Sequence, residues 1–350
     1  MTQAQESLAN KYRNGGVVAP ATGDAVEIVP GILWLRLPLP FRLNHVNVYL
    51  FEDDGGWTIF DTGIADAATR TVWSNVIGSV LRNAEISKVI VSHFHIDHVG
   101  LAGWFQDRFA PTFCMSQTEY LLSRVFQTDE WYEVLTAETK FFHSCGLNLA
   151  DAEEISRRRL GMRSLRTSMP KAFQRLRAGE VIRIGSRDWR ILTGGGHAVE
   201  QLMLYCENDR IFISADQILP EISPNISVGS IQPAANPLGD FLVSLTNIKA
   251  DISGEVFVLP GHRKPFFGLH DRITELQQHH QARCEAVLSA CHQAPCTGVD
   301  LVPAVFGRDV GIEVIGSAIG EAVAHANYLR NMGDLVVDRN ADGVLHFRAP

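Results

Sequence analysis

The spacing of apolar positions changes several times along the chain. Between residues 26 and 60 the apolar residues are β-branched or aromatic, and Pro, Asn, Asp and Gly interrupt them: VEIVPGILWLRLPL, VNVYLFE and WTIFD predict strands joined by turns. ADAATRTVWSNVIGSVL (65–81) shifts to helical spacing, with Val72, Val76, Val80 and Leu81 recurring on one side. KVIVS (88–92) is short, apolar and β-branched, as a buried strand requires, and VGLAGWFQDRF (99–109) is helical again. Residues 116–178 carry three helical patterns in succession (SQTEYLLSRVF, EWYEVLTAETKFFHSC and LADAEEISRRRLGMRSL), which predict a helical insertion covering one side of the domain. Strands return at hairpin spacing in EVIRIG, RDWRILTG, EQLMLYCE and RIFISAD, with another in EVFVLPG (255–261).

Past about residue 268 the pattern is helical through HDRITELQQHHQARCEAVLSAC, VDLVPAVF and IEVIGSAIGEAVAHANYLRNMG. It closes on DLVVDRNADGVLHFR, where Asn340-Ala341-Asp342-Gly343 supplies a hairpin turn. The organisation expected is a polar N-terminal extension (1–25), an α/β domain (26–268) with its insertion, and a small helical, winged-helix-like C-terminal domain (269–350). A chain of 350 residues has room for two domains.

Charge sharpens this division. The net charge is −8, yet Arg157 to Arg190 holds eleven Lys or Arg against two acids, Glu180 and Asp188; that segment is +9 and the rest of the chain −17. An acidic body argues against broad nucleic-acid binding, which needs phosphate-neutralising surface. The basic segment reads either as a solvated helical face or as a clamp for an anionic substrate, with Arg159, Arg163 and Arg166 spaced i, i+4, i+7 for one helix face. The N-terminus is polar and lacks the apolar core of a signal peptide. No apolar run is long enough to span a bilayer, so no membrane is expected. Six cysteines without a CxxC pair read as reduced structural thiols of a cytoplasmic protein.

Candidate chemistry concentrates in VSHFHIDHVG (91–100), directly after a predicted strand. In extended chain, residues two apart point the same way, so His93 and His95 can grip one ion together. Asp97 and His98 fall where the chain turns into a helix, and can serve a second ion nearby. Other metal-ligating residues stand at predicted strand ends: His197 in TGGGHAVEQ, Asp216 in FISADQ and His262 in VLPGHRK. Strand ends are where open α/β folds build sites, and the glycines before His197 let the chain turn sharply there.

This set, in this order, resembles the metallo-β-lactamase superfamily over about residues 26–268. The resemblance implies an αββα sandwich: two mixed sheets face to face, with helices outside. It implies that His93, His95 and His197 hold one metal, that Asp97, His98 and His262 hold a second, and that Asp216 bridges them. Asp97 and Asp216 would be the catalytic carboxylates, and Asp61, in IFDTG, would support the ligands from behind. Two divalent ions, Zn²⁺ first, with Fe and Mn admitted by the same nitrogen and oxygen donors, would activate water for attack on a carbonyl or phosphorus centre. The filled ligand set is similar to the glyoxalase II, lactonase and ribonuclease branches. Ala215 stands where many members carry Gly. The C-terminal segment resembles the branch with a winged-helix-like tail; its few scattered arginines point to packing or homodimerisation rather than nucleic-acid binding.

The function expected is hydrolysis of a small anionic thioester or ester. A lactonase, an endoribonuclease acting on single-stranded RNA, and a metal-binding regulatory or interaction module remain alternatives. His45, in RLNHVNVYL, either lines the mouth of the site or is structurally satisfied.

Overall fold

The computed structural model describes residues 18–128, 130–308, 310–311 and 313–350, so the first 17 positions of the expected polar extension lie outside the described residues. Seven strands build one sheet in chain order: β1 (Ala25–Val29), β2 (Ile32–Pro38), β3 (His45–Asp53), β4 (Gly56–Phe60), β5 (Glu85–Ile90), β6 (Thr112–Met115) and β7 (Gln174–Arg175). Pairing is antiparallel from β1 to β4 and parallel from β4 to β7. The second sheet holds β8 (Val181–Ile184), β9 (Arg187–Gly194), β10 (Gln201–Cys206), β11 (Ile211–Ala215) and β12 (Phe257–Pro260). Its spatial order is β12-β11-β10-β9-β8, and only β11 and β12 are parallel.

Unbroken burial along most of β3 and all of β10 and β11 explains why the central strands read as nearly continuous apolar runs: both faces of each sheet are covered there. Between the sheets, Trp34, Tyr49 and Phe60 meet Trp189, Leu204 and Ile213. Outside the first sheet, Val48 and Leu50 pack on Trp73 of α1 (Ala67–Ser79) and Phe105 of α3 (Ala102–Phe109). Outside the second, Met203, Tyr205 and Phe212 pack on Phe241 of α7 (Pro237–Asp251) and Ile273 of α8 (Leu269–Gln293). The architecture is the αββα sandwich. The helix expected from residue 99 divides into α2 (Ile96–Val99) and α3, because Leu101 N–H donates to Gly63 O (3.1 Å) and Thr62 Oγ1 (3.1 Å).

The insertion forms α4 (Gln117–Thr128), α5 (Trp131–Ser144) and α6 (Leu149–Gly161). The C-terminal part adds α9 (Val302–Phe306), α10 (Ile315–Met332) and the hairpin β13 (Val336–Arg339) and β14 (Leu345–Arg348), whose turn is tied by Asn340 Oδ1 accepting from Asp342 N (3.0 Å) and Val344 N (2.9 Å). Phe142 and Ile155 of the insertion share one core with Ile319 and Val323 of α10, and Val299 N–H donates to Cys145 O (2.9 Å). Insertion and tail are therefore packed on each other, rather than the insertion covering the sandwich alone. All six cysteines are buried free thiols, and burial pushes Cys145 up to about 12. Among the described residues, no helix is long and apolar enough to cross a membrane.

The expected single helix face of Arg159, Arg163 and Arg166 does not form. α6 ends at Gly161, residues 162–165 tighten into a 3₁₀ turn, and Arg166 is extended at φ −133°, ψ 147°. Tertiary bonds stop the helix: Leu165 O accepts from Ala65 N (2.8 Å), and Thr167 donates to Gly100 O from both N (2.7 Å) and Oγ1 (2.8 Å).

Candidate metal centre

β5, β9, β11 and β12 all end at one edge of the sandwich, and the candidate ligands sit just past those ends. His93 and His95 follow β5, with His95 in extended conformation at the start of the one-turn α2 that holds Asp97 and His98. His197 follows β9 after Gly196, whose φ of 108° is open to glycine; a Cβ there would collide with Phe241 Cβ. Asp216 follows β11 after Ala215, a non-glycine residue at φ 44°. His262 follows β12, which runs parallel to β11 and so brings Asp216 and His262 side by side.

The donor atoms converge. His93 Nε2 lies 2.8 Å from His95 Nδ1, which lies 3.0 Å from His197 Nε2. His262 Nε2 lies 3.3 Å from Asp97 Oδ2, and His98 Nε2 lies 3.7 Å from the same oxygen. Asp216 Oδ2 stands between the two groups, 3.5 Å from His197 Nε2, 3.5 Å from His98 Nε2 and 3.2 Å from His262 Nε2. Three sets, His93/His95/His197, Asp97/His98/His262 and His93/His98/Asp216, each have ligand atoms within 4.8 Å of one another. His98 Nε2 and Asp216 Oδ1 are buried without a hydrogen-bond partner, an arrangement that a cation between them would complete. Nitrogen and oxygen donors at these spacings fit divalent metal ions.

The far side of four of the five rings, all but His95, is tied as a metal-binding histidine requires. Nδ1–H of His98 donates to Asp61 Oδ2 (2.8 Å), that of His197 to Asn225 O (2.9 Å), and that of His262 to His45 O (2.8 Å). His93 Nδ1–H donates to Ser92 Oγ (2.8 Å), whose O–H donates to Asp61 Oδ2 (2.8 Å); Asp61 Oδ1 accepts from Ser92 N (2.7 Å). The Asp61 backbone is left-handed, φ 67°, which turns its carboxylate back under the ligands. His45 is buried, and its Nε2 accepts from Arg263 N (3.1 Å), so it belongs to the support of His262 rather than to an open mouth.

The electrostatics separate the two groups. Burial lowers His93, His95 (to about 3) and His197, leaving neutral rings with free lone pairs. Burial also opposes charge on His98 and His262, but Asp216 and Asp97 outweigh it: His98 rises well above its usual range and His262 to about 10. Burial likewise resists ionisation of both aspartates, and the neighbouring His98 and His262 overcome it, holding Asp97 and Asp216 below the usual carboxylate range. Protons thus occupy the Asp97/His98/His262 side, where a cation would displace them.

Two supports have no signature in the sequence. Glu119 of α4 is fully buried and joins the ligand loops: its Oε2 accepts from Phe94 N (3.0 Å), between His93 and His95, and its Oε1 from Glu200 N (2.7 Å), just past His197. Asn225 acts through its main-chain carbonyl, so its side chain gives no cue.

The basic segment is dispersed by folding. Among the described residues at least eight of its eleven cations are ion-paired: Arg157 with Glu153, Arg158 with Glu154, Arg159 with Glu138, Arg175 with Glu200, Arg177 with Glu180, Arg183 with Asp188, Arg187 with Asp209, and Arg190 with Asp251. Arg166 differs. Its Nε and Nη1 are buried without a hydrogen bond, and burial, then Arg163, lowers it to about 10. Its guanidinium covers Phe126 (5.6 Å), which stacks on Phe94 (5.3 Å), which lies against His95 (4.4 Å). Arg163 lies in the 3₁₀ turn just before it.

Residues 42–262 match the metallo-beta-lactamase superfamily, and residues 284–350 match the metallo-beta-lactamase-like C-terminal domain. The chain is 36% identical to a beta-lactamase domain protein from Burkholderia ambifaria, whose crystal structure superposes with a TM-score of 0.90 over 98% of this chain and 100% of that one. A metallo-beta-lactamase family protein from Thermus thermophilus is 25% identical, with a TM-score of 0.77 over 93% of this chain and 100% of that one. The probable metallo-hydrolase YqjP of Bacillus subtilis (strain 168) is 24% identical over 80% of this chain and 87% of its own length.

Proposed function

Because the chain belongs to the metallo-beta-lactamase superfamily, we propose that it is a binuclear metal-dependent hydrolase cleaving a small anionic ester or thioester. The observation that carries this reading is Asp216 Oδ2 standing between two complete ligand groups. Its likeness to a probable metallo-hydrolase supports the reaction class.

Divalent ions in such a site lower the pKa of water to near neutral and polarise the oxygen of the electrophile. The chain's own residues do the rest. Asp97 and Asp216 bring the negative charge that retains the cations, and His93, His95 and His197 present neutral lone pairs. Asp61 and Ser92 hold His98 and His93 against rotation. His95, Asp97 and His197 are only partly buried, whereas His93 and His98 are buried, so substrate approaches from the first three. On that side Phe94 and Phe126 offer an apolar wall for an acyl or aryl body, and Arg166 lies beyond them for an anionic group. The ion-paired state of most of the basic segment speaks against a surface tracking RNA phosphates.

The test is metal content together with a substrate panel. Protein purified without chelator should hold about two metal equivalents per chain. Anionic esters or thioesters should turn over fastest, and Arg166→Met should raise KM about tenfold, the loss of one charge-assisted contact. One equivalent or none after reconstitution with Zn²⁺, Mn²⁺ and Fe²⁺ would overturn the binuclear reading. Faster turnover of lactones or RNA would reassign the substrate, and no turnover with full metal would favour a binding module.

A further inference from the structure

Between β11 and α7 lies a connection, residues 216–236, that contains no helix or strand. It begins at Asp216 and passes Asn225, whose carbonyl receives Nδ1–H of His197. A connection of this length, without regular structure inside a packed body, needs partners for its backbone from elsewhere. Many of them come from the C-terminal helices.

On the approach to Asn225, Arg272 of α8 is buried and donates to Leu219 O (2.7 Å) through Nε and to Ile222 O (2.7 Å) through Nη2. Ser223 Oγ meets His280 Nε2 (3.3 Å), and His280 Nδ1 meets His325 Nε2 (3.1 Å). On the exit, Val228 N–H donates to Gly320 O (3.2 Å) in the body of α10, and Asn327 Nδ2 donates to Pro233 O (3.0 Å) and Ala235 O (2.9 Å). Ile226 and Val228 are buried in the core shared with α10. At Gly320 the helix backbone nearly touches the connection: a Cβ there would stand 2.8 Å from Val228 O and 3.1 Å from Ser227 Cβ.

We infer that the C-terminal helices complete the metal centre: α8 and α10 hold the connection at 216–236 and, through the Asn225 carbonyl, fix the tautomer and orientation of His197. Arg272 and Gly320 are positioning residues in this arrangement, acting on a ligand they do not touch. The inference rests on the metallohydrolase reading for its consequence, but the clamp itself concerns His197 with or without an ion. It gives the tail a part in the reaction that requires no nucleic acid and no second chain.

Two variants approach the clamp from opposite sides. Arg272→Met removes the donors to Leu219 and Ile222 at nearly constant volume. Gly320→Ala improves the helix locally while pushing residues 227–228 away, so its folding is protected where its effect on the connection is greatest. In metal-free protein, multiple-bond ¹H–¹⁵N correlation should show His197 fixed with its proton on Nδ1 in wild type and mixed between tautomers in both variants. In the loaded protein, chelator competition should show one of the two metal equivalents weakened about tenfold to hundredfold. Asp338→Asn, in the exposed hairpin, should alter neither. An unchanged His197 tautomer in both folded variants overturns the clamp. A changed tautomer in a protein that takes up no metal upholds the clamp and sinks the metallohydrolase reading instead.

Discussion

Asp61 is the residue on which the supports of two candidate metal ligands converge, and replacing it separates tautomer control from simple stability. Its carboxylate accepts from His98 Nδ1–H, Ser92 N–H and Ser92 O–H, in a position 1% exposed. Asp61→Asn preserves the shape and tolerates the left-handed φ of 67°. Its amide NH₂, however, can face His98 Nδ1 only if that nitrogen gives up its proton. The proton then moves to Nε2, the atom that faces Asp97 and Asp216. Asp61→Ala leaves the His98 tautomer free but exposes three donors to an empty space, and alanine at that φ adds about 1 kcal/mol of strain.

The two variants should therefore rank oppositely in two assays. Loss of a carboxylate partner behind a ligand costs about 10–100-fold in metal affinity, or about 1.4–2.7 kcal/mol. Asp61→Asn should reach the upper end of that range because it actively favours the wrong tautomer. In urea unfolding of metal-free protein the order should reverse, with Asp61→Ala losing about 3–5 kcal/mol, from unpaired buried donors plus strain, and Asp61→Asn less. The assays are competition against a chromophoric chelator and denaturant melts of the same preparations. Asp61→Asn that binds metal within twofold of wild type would refute the tautomer argument.

Glu119→Ala should lower unfolding free energy by about 2–5 kcal/mol, since it strands the Phe94 and Glu200 N–H groups; Glu119→Gln, with one acceptor left, should fall between, and equal melts for both would remove the clamp role. Burial pushes Glu321 up to about 7 from 4.5, against the pull of Arg283. The folded state therefore keeps a proton that the unfolded chain releases. Stability falls as pH rises from about 4.5 to 7, by up to about 3 kcal/mol, and levels off above. Glu321→Gln should flatten that stretch of the pH–stability curve, and an unchanged slope would show that the carboxyl is ionised beside Arg283 throughout.

The convergence of the candidate donors was legible because they stand just past apolar strands, where period and punctuation are strong. His93 to His98 form one contiguous pattern, and His197, Asp216 and His262 each close a strand. Ala215, where the family resemblance implies glycine, sits at φ 44°, the backbone that glycine favours. The illegible parts depend on three-dimensional partners. Helical spacing carried Arg159, Arg163 and Arg166 along one face, but bonds from Ala65 and Gly100 end the helix before Arg166. The excess charge of the basic segment vanished for a similar reason, since several of its acids, such as Glu138, Asp209 and Asp251, lie far away in sequence. Glu119 is one acid on an amphipathic helix, and its role exists only once two loops close around it.

The candidate ligand groups draw on both sheets: His93, His95, Asp97 and His98 follow a strand of the first, and His197, Asp216 and His262 follow strands of the second. An ion seated among them can bind only when the two layers are correctly apposed, so its affinity is added to the free energy of folding. At a thousandfold excess over Kd that addition is about 4 kcal/mol per ion, a large part of the roughly 5–15 kcal/mol by which most proteins remain folded. On the proposed function, the supply of metal would govern how many copies survive proteolysis as well as how fast each one works. Cells starved of metal would hold less of this protein, and the shortage would be read first in its abundance.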